Sequence, residues 1–240
     1  MAQYLQDNCY LPERAKKYGN SSTGMRFQVP WGKHSPVSWR GKHKAIIGGD
    51  ALESEFLPVV VIKDPFTWMT SMCRHSYAAN WFHTEEHCPN LVPITPEEKA
   101  HFGENALSVT VNISYSSENI THHQSMVDLW NKYYGDWIDA EFPRIIVRFE
   151  DLIYNAEKVV GEVCTCAGGL MRGDEFKYTT DSAKKGKVHS GSSGFLTALS
   201  KYSNATLRLE SFQLPDLEYS RRTLRPDIME TFQYSMPPLR

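Results

Sequence analysis

Apolar positions fall along this chain in two rhythms. Leu57 to Ile62 and Ile145 to Val147 are short, nearly continuous runs rich in β-branched residues, the pattern of strands covered on both faces in a parallel sheet. Strands are expected near residues 45–48, 57–62 and 144–149. Elsewhere the spacing is helical. Val159, Val160, Val163, Cys164 and Ala167 form a stripe on a helix from about Asn155 to Ala167, closed by Gly168-Gly169. Met126, Leu129, Trp130, Tyr133 and Trp137 form another. That helix is expected to open at Thr121-His122-His123-Gln124, a capping-box pattern that leaves both histidines facing solvent. Asp64 and Pro65 suit a helix cap and first turn, so a further helix is predicted through Trp68 toward Trp81. His83 to Glu118 carries prolines and little periodicity and reads as a long excursion. No internal repeat interrupts the pattern, and residues 1–240 are expected to form a single α/β domain.

Composition narrows the picture. The net charge of −2 gives no electrostatic case for nucleic acid as a partner. No apolar run approaches the length of a membrane span, and the N-terminus lacks a signal-peptide pattern. Four glycosylation sequons, at Asn20, Asn112, Asn119 and Asn204, stand among ten asparagines, where chance would leave about one or two. Their number favours a secretory-pathway origin. Five cysteines (Cys9, Cys73, Cys88, Cys164, Cys166) make neither an even disulfide framework nor a zinc-ribbon spacing. Cys164 and Cys166 are expected in the core, and pairing of Cys88 is left open by the sequence. His83 and His87 lie four apart beside Cys88, but Glu does not directly follow the first His and Pro89 breaks the segment. A metal site is not expected there.

The candidate chemistry gathers where the 57–62 run ends. Lys63 follows the strand, Asp64 and Pro65 start a helix, and Ser71 falls on the helix face that looks back toward Lys63. A cation, a hydroxyl and the free N–H groups of a helix start together make an anion site. The alternative is a buried strand running into a capped surface helix with an incidental lysine.

A base, Asp-Pro, and a serine eight positions after the base resemble the 3′-phosphate motif of the sulfotransferases, which use 3′-phosphoadenosine-5′-phosphosulfate (PAPS). The basic position in that family is usually Arg, so Lys63 puts a point charge where a bidentate fork is common. Arg148-Phe149-Glu150-Asp151-Leu152 resembles the family's Arg-Tyr-Glu-Asp-Leu element, with Arg148 and Glu150 expected in structural ion pairs. Lys184-Lys185-Gly186-Lys187 resembles, more loosely, the loop that closes over the same phosphate, with Lys185 and Gly186 as its contacts; a solvated basic loop is the alternative. Arg225 to Tyr234 looks like the family's last helix and aromatic tail. Trp31-Gly32-Lys33-His34-Ser35-Pro36 resembles its Lys-x-His-x-Pro segment, where the His is the general base. His34 is the candidate base and His43 stands behind it.

The resemblance covers residues 30–240, with 1–29 as a partial N-terminal helix and loop. It implies a three-layer α/β sandwich with a mostly parallel sheet, the P-loop NTPase-like sulfotransferase fold, N-terminally truncated. It also implies sulfuryl transfer from PAPS to a hydroxyl or amine of a carbohydrate or other secretory-pathway acceptor, without metal, in the Golgi lumen of a type II membrane protein anchored by a missing N-terminal segment. The 83–118 excursion would cover the acceptor. No stretch matches the family's Lys-Ser-Gly-Thr-like loop for the 5′-phosphosulfate; Gly19 to Gly24 has neither a preceding apolar strand nor a lysine. The chain as written is therefore expected not to transfer sulfate by itself. A non-catalytic relative that binds adenosine 3′,5′-bisphosphate is the alternative.

Overall fold

In the computed structural model the two β-branched runs lie side by side as a parallel pair, with Val59 opposite Ile145 and Ile62 opposite Arg148. The structure describes residues 1–18, 25, 29–32, 34–41, 53–116, 118–179, 199, 202–204 and 206–238. The run at 45–48, His43, Lys185 and Gly186 lie outside them. In chain order the elements are α1 (Ala2–Asn8), β1 (Cys9–Tyr10), α2 (Pro12–Tyr18), β2 (Val59–Ile62), α3 (Pro65–Arg74), β3 (Ala79–Asn80), α4 (Pro96–Phe102), β4 (Val111–Ser114), β5 (Ile120–His123), α5 (Met126–Ile138), β6 (Ile145–Arg148), α6 (Phe149–Tyr154), α7 (Ala156–Cys166), β7 (Leu170–Met171), α8 (Leu214–Thr223) and α9 (Pro226–Thr231). The chain is α/β. It divides into two compact units, Met1–Ile62 with Ala140–Ser203, and Lys63–Asp139 with Asn204–Arg240.

In the first unit Tyr4, Leu152, Ala156 and Val160 form a core against which Leu5, Val61, Val147 and Phe176 pack, so the apolar stripe of α7 meets α1 and the β2–β6 pair. Asn8 is fully buried and satisfied. Its amide donates to the carbonyls of Tyr4 and Lys177 and accepts from the Lys177 N–H. A disulfide joins Cys9 to Cys164. α7 ends as its glycines predict: Gly168 takes φ +74°, and the N–H groups of Gly168 and Gly169 donate to the carbonyls of Thr165 and Cys164. A Cβ at Gly169 would stand under 3 Å from both disulfide sulfurs, so only glycine fits there. Cys166, two positions from Cys164 and so on another face of α7, is an exposed free thiol rather than a core residue. Arg148 pairs with Asp151 at 3.9 Å.

The second unit is built around Phe66, Met69, Met126, Trp130, Leu91, Ile228 and Met229, all essentially inaccessible. A second disulfide, Cys73–Cys88, closes a short loop after α3. α3 stops at Arg74 rather than running toward Trp81, because the chain turns through Tyr77 at φ +52° into β3.

The other sheets depart from a mostly parallel arrangement. Among the described residues β1–β7 and the three-stranded β3-β4-β5 are antiparallel, and β2–β6 is parallel. The 83–118 segment is not an irregular excursion. It contains α4, capped by a reciprocal Thr95–Glu98 box, and β4, whose Val111 and Ile113 point inward while Asn112 and Ser114 point out. The capping-box reading at Thr121 fails for a related reason. Ile120–His123 pairs with β4 as a strand, and α5 starts later, with the Ser125 hydroxyl accepting from the Asp128 N–H at 3.1 Å. His122 is exposed and bonded to Asn112, whereas the His123 side chain is only 10 % exposed, not solvent-facing.

Candidate anion-binding site

α3 begins where its sequence says it should. Asp64 Oδ1 accepts from the N–H groups of Phe66 and Thr67, each at 3.0 Å, and Pro65 occupies the position where no N–H is missed. Phe66, Thr67, Met69 and Met72 bury one face of the helix and fix its rotation. That rotation leaves Ser71 half-buried, one face-turn above Thr67, whose carbonyl accepts from the Ser71 hydroxyl at 2.7 Å.

Lys63 Nζ donates to Ser71 Oγ at 2.7 Å, so the structure joins the two residues that the spacing aligns. The backbone of Lys63 is pinned as well, because its carbonyl accepts from the Nε1–H of the buried Trp130 at 3.1 Å. The Ser71 hydroxyl thus accepts from Lys63 and donates to Thr67, which fixes its orientation on the helix face. A dianionic oxygen group at this position would meet a cation and a hydroxyl on one face of the ten-residue α3.

One further group frames the site, and no local sequence pattern marks it. Arg208, in the turn Leu207–Leu209, donates from Nη1 to Asp64 Oδ2 at 2.5 Å and from Nη2 to the Ser235 carbonyl at 2.7 Å. Its guanidinium lies 5.2 Å from the ring centre of Phe66. The turn is started by Asn204, whose Oδ1 accepts from the Thr206 and Leu207 N–H groups. Arg208 stands 144 positions from Asp64, and no local pattern links them.

Of the other sequence candidates, His34 belongs to the first unit and is exposed. It follows the turn in which Gly32, at φ +121°, donates to the Val29 carbonyl beside the buried Trp31, itself set edge-on to Phe142. Lys185 and Gly186 are outside the described residues, so Lys63 and Ser71 are the pair that the structure brings together.

His87 has another role than a ligand. Its Nδ1 meets both carboxylate oxygens of Glu98 at 2.9 and 3.0 Å and its Nε2 meets Asp216 Oδ2 at 2.8 Å, with all three side chains buried. Burial pulls the imidazole down, but hydrogen bonds to Asp216 and Glu98 outweigh it and His87 titrates above its ordinary value. Burial likewise pushes Glu98 up, and the bonds it accepts from Thr95, His87, Ile94 and Asn90 outweigh that and hold it below the usual carboxylate range. The Thr95-x-x-Glu98 box was the legible signal for one member of this network.

Among the described residues no helix is long and apolar enough to cross a membrane. Comparison of the chain with protein-family models, with curated proteins and with solved structures finds no match.

Proposed function

We propose that the chain is a sulfotransferase-type domain in which Lys63 and Ser71 hold the 3′-phosphate of PAPS. The observation that carries this reading is the bond from Lys63, which directly follows a parallel strand, to Ser71 on the capped helix after it. In the reaction an acceptor oxygen attacks the sulfur, the bond from sulfur to the phosphate oxygen breaks, and adenosine 3′,5′-bisphosphate leaves. The acceptor proton passes to a general base, the role that the family resemblance assigns to His34. Catalysis of this kind rests on positioning and charge stabilisation. The three-layer P-loop fold, a carbohydrate acceptor and a Golgi lumen belong to the same reading. Two disulfides and four sequons support the oxidising, glycosylating compartment.

One observation favours a second reading, a relative that binds the bisphosphate without turnover: no stretch of the sequence resembles the loop for the 5′-phosphosulfate. Both readings need the 3′-phosphate site. Calorimetry with adenosine 3′,5′-bisphosphate tests it. Loss of a charge-assisted phosphate contact costs about 1.5–3 kcal/mol, so Lys63→Ala and Ser71→Ala should each weaken binding by tenfold or more. Unchanged affinity in both variants rejects the site. Sulfate transfer from PAPS to a panel of sugars then separates the two readings.

A further inference from the structure

Asp64 presents the site with a difficulty. Its carboxylate caps α3 by taking the N–H groups of Phe66 and Thr67 on Oδ1, so it sets a negative charge next in the chain to Lys63, the cation to which a phosphate would be drawn. Oδ2 carries the compensation. Arg208 bonds it through Nη1, and the guanidinium is itself held by the Ser235 carbonyl through Nη2 and lies beside the face of Phe66. Phe66 is inaccessible and stands edge-on to Phe212, with ring centres 5.2 Å apart, so the platform beneath the guanidinium is rigid. The Arg208 and Asp64 side chains are 13 % and 8 % exposed, which leaves solvent little part in screening the pair.

We propose that Arg208 is a positioning residue for the phosphate site: it offsets the charge of the Asp64 cap and fixes that cap, so that the cap does not repel a phosphate monoester drawn to Lys63 and Ser71. The proposal rests on the reading of Lys63 and Ser71 as the 3′-phosphate site. Arg208 reaches the ligand through Asp64 and need not touch it.

Asparagine caps helices about as well as aspartate, so Asp64→Asn removes the charge and keeps the cap. That makes charge separable from structure. The experiment is calorimetry with adenosine 3′,5′-bisphosphate and with adenosine 5′-monophosphate on the whole chain, wild type and variants, with thermal melting of each. Arg208→Gln should weaken bisphosphate binding about tenfold and leave the monophosphate affinity nearly unchanged. Asp64→Asn in the Arg208→Gln background should restore most of the loss. Asp64→Asn alone, with Arg208 in place, should bind the bisphosphate tighter than wild type. That single variant keeps the test open even where Arg208→Gln fails to fold. If Lys63→Ala weakens binding but Asp64→Asn alone does not tighten it, or the double variant is not rescued, the role of Arg208 is overturned and the phosphate site stands. If Lys63→Ala leaves binding unchanged, the site and the proposal fall together.

Discussion

His87 and Arg208 are both held by an aspartate within the second unit, yet their surroundings differ in what they leave over. Around His87 the acceptors are saturated. Glu98 takes bonds from His87, Asn90 and the backbone of Ile94 and Thr95, and Asp216 takes bonds from His87 and the backbone of Leu91, Val92 and Gln213. Asp64 of the Arg208–Asp64 pair is instead preceded in the chain by a half-buried ammonium, Lys63, bonded to the half-buried Ser71 hydroxyl. A saturated, fully buried network ties segments together; a partly exposed cation is where an anionic ligand can approach.

The sharpest way to break this contrast is to remove one member of each cluster and measure unfolding in denaturant. Glu98→Ala strands the buried His87 and releases the 94–95 backbone, so it should cost about 3–5 kcal/mol. Lys63→Ala, on a half-buried side chain, should stay within about 0.5 kcal/mol of wild type. Equal losses would mean that Lys63 is as structural as Glu98.

The pH dependence of stability is the next largest effect. His87 is raised in the folded state, so its contribution is fully present below the ordinary imidazole value of about 6.5 and is lost as pH rises through the raised value. Glu98 is held low, so its contribution is present above about 4.3 and is lost as pH falls through the lowered value. The network therefore supports the unit best between about pH 4.5 and 6.5. Thermal melting across pH 4–9 should show a decline on the alkaline side that His87→Gln flattens. An unaltered alkaline limb in that variant would assign the decline to other groups.

Much of this contrast was hidden from the sequence, for reasons that differ by residue. Asp64-Pro65 and Ser71 were legible because a cap, a first turn and a one-face spacing are local rules. The Thr95-x-x-Glu98 box was equally local, yet a proline-rich stretch obscured it and β4 beyond it. Thr121 to Gln124 resembles a helix start, but Ser125-x-x-Asp128, four residues on, is the cap that α5 uses. Cys9–Cys164, His87–Asp216 and Arg208–Asp64 join residues more than a hundred positions apart, and nothing local encodes such pairs. The parallel pairing of β2 and β6 was readable from two β-branched runs, whereas β1 and β7, two residues each, have no length in which a period could show.

Two smaller effects sharpen the ligand side. Lys63→Arg should tighten bisphosphate binding a few-fold, since a planar fork matches two phosphate oxygens where an ammonium meets them as a point charge. Weaker binding would show that the compact ammonium, already bonded to Ser71, is what the site requires. Asn112 and Asn204 are exposed and Asn119 half-buried, so glycosidase treatment of the native protein should shift its gel mobility. An unshifted native protein would remove the lumenal compartment and leave the phosphate site untouched.

The central claim is that Lys63 and Ser71 recognise a 3′-phosphate, and the most direct test crosses a ligand change with a residue change. Affinities of wild type and Lys63→Ala are measured for adenosine 3′,5′-bisphosphate and for adenosine 5′-monophosphate. Wild type should prefer the bisphosphate by about tenfold or more, and Lys63→Ala should bind both ligands alike. A wild type indifferent to the 3′-phosphate, or a Lys63→Ala variant that keeps the full preference, would contradict the assignment.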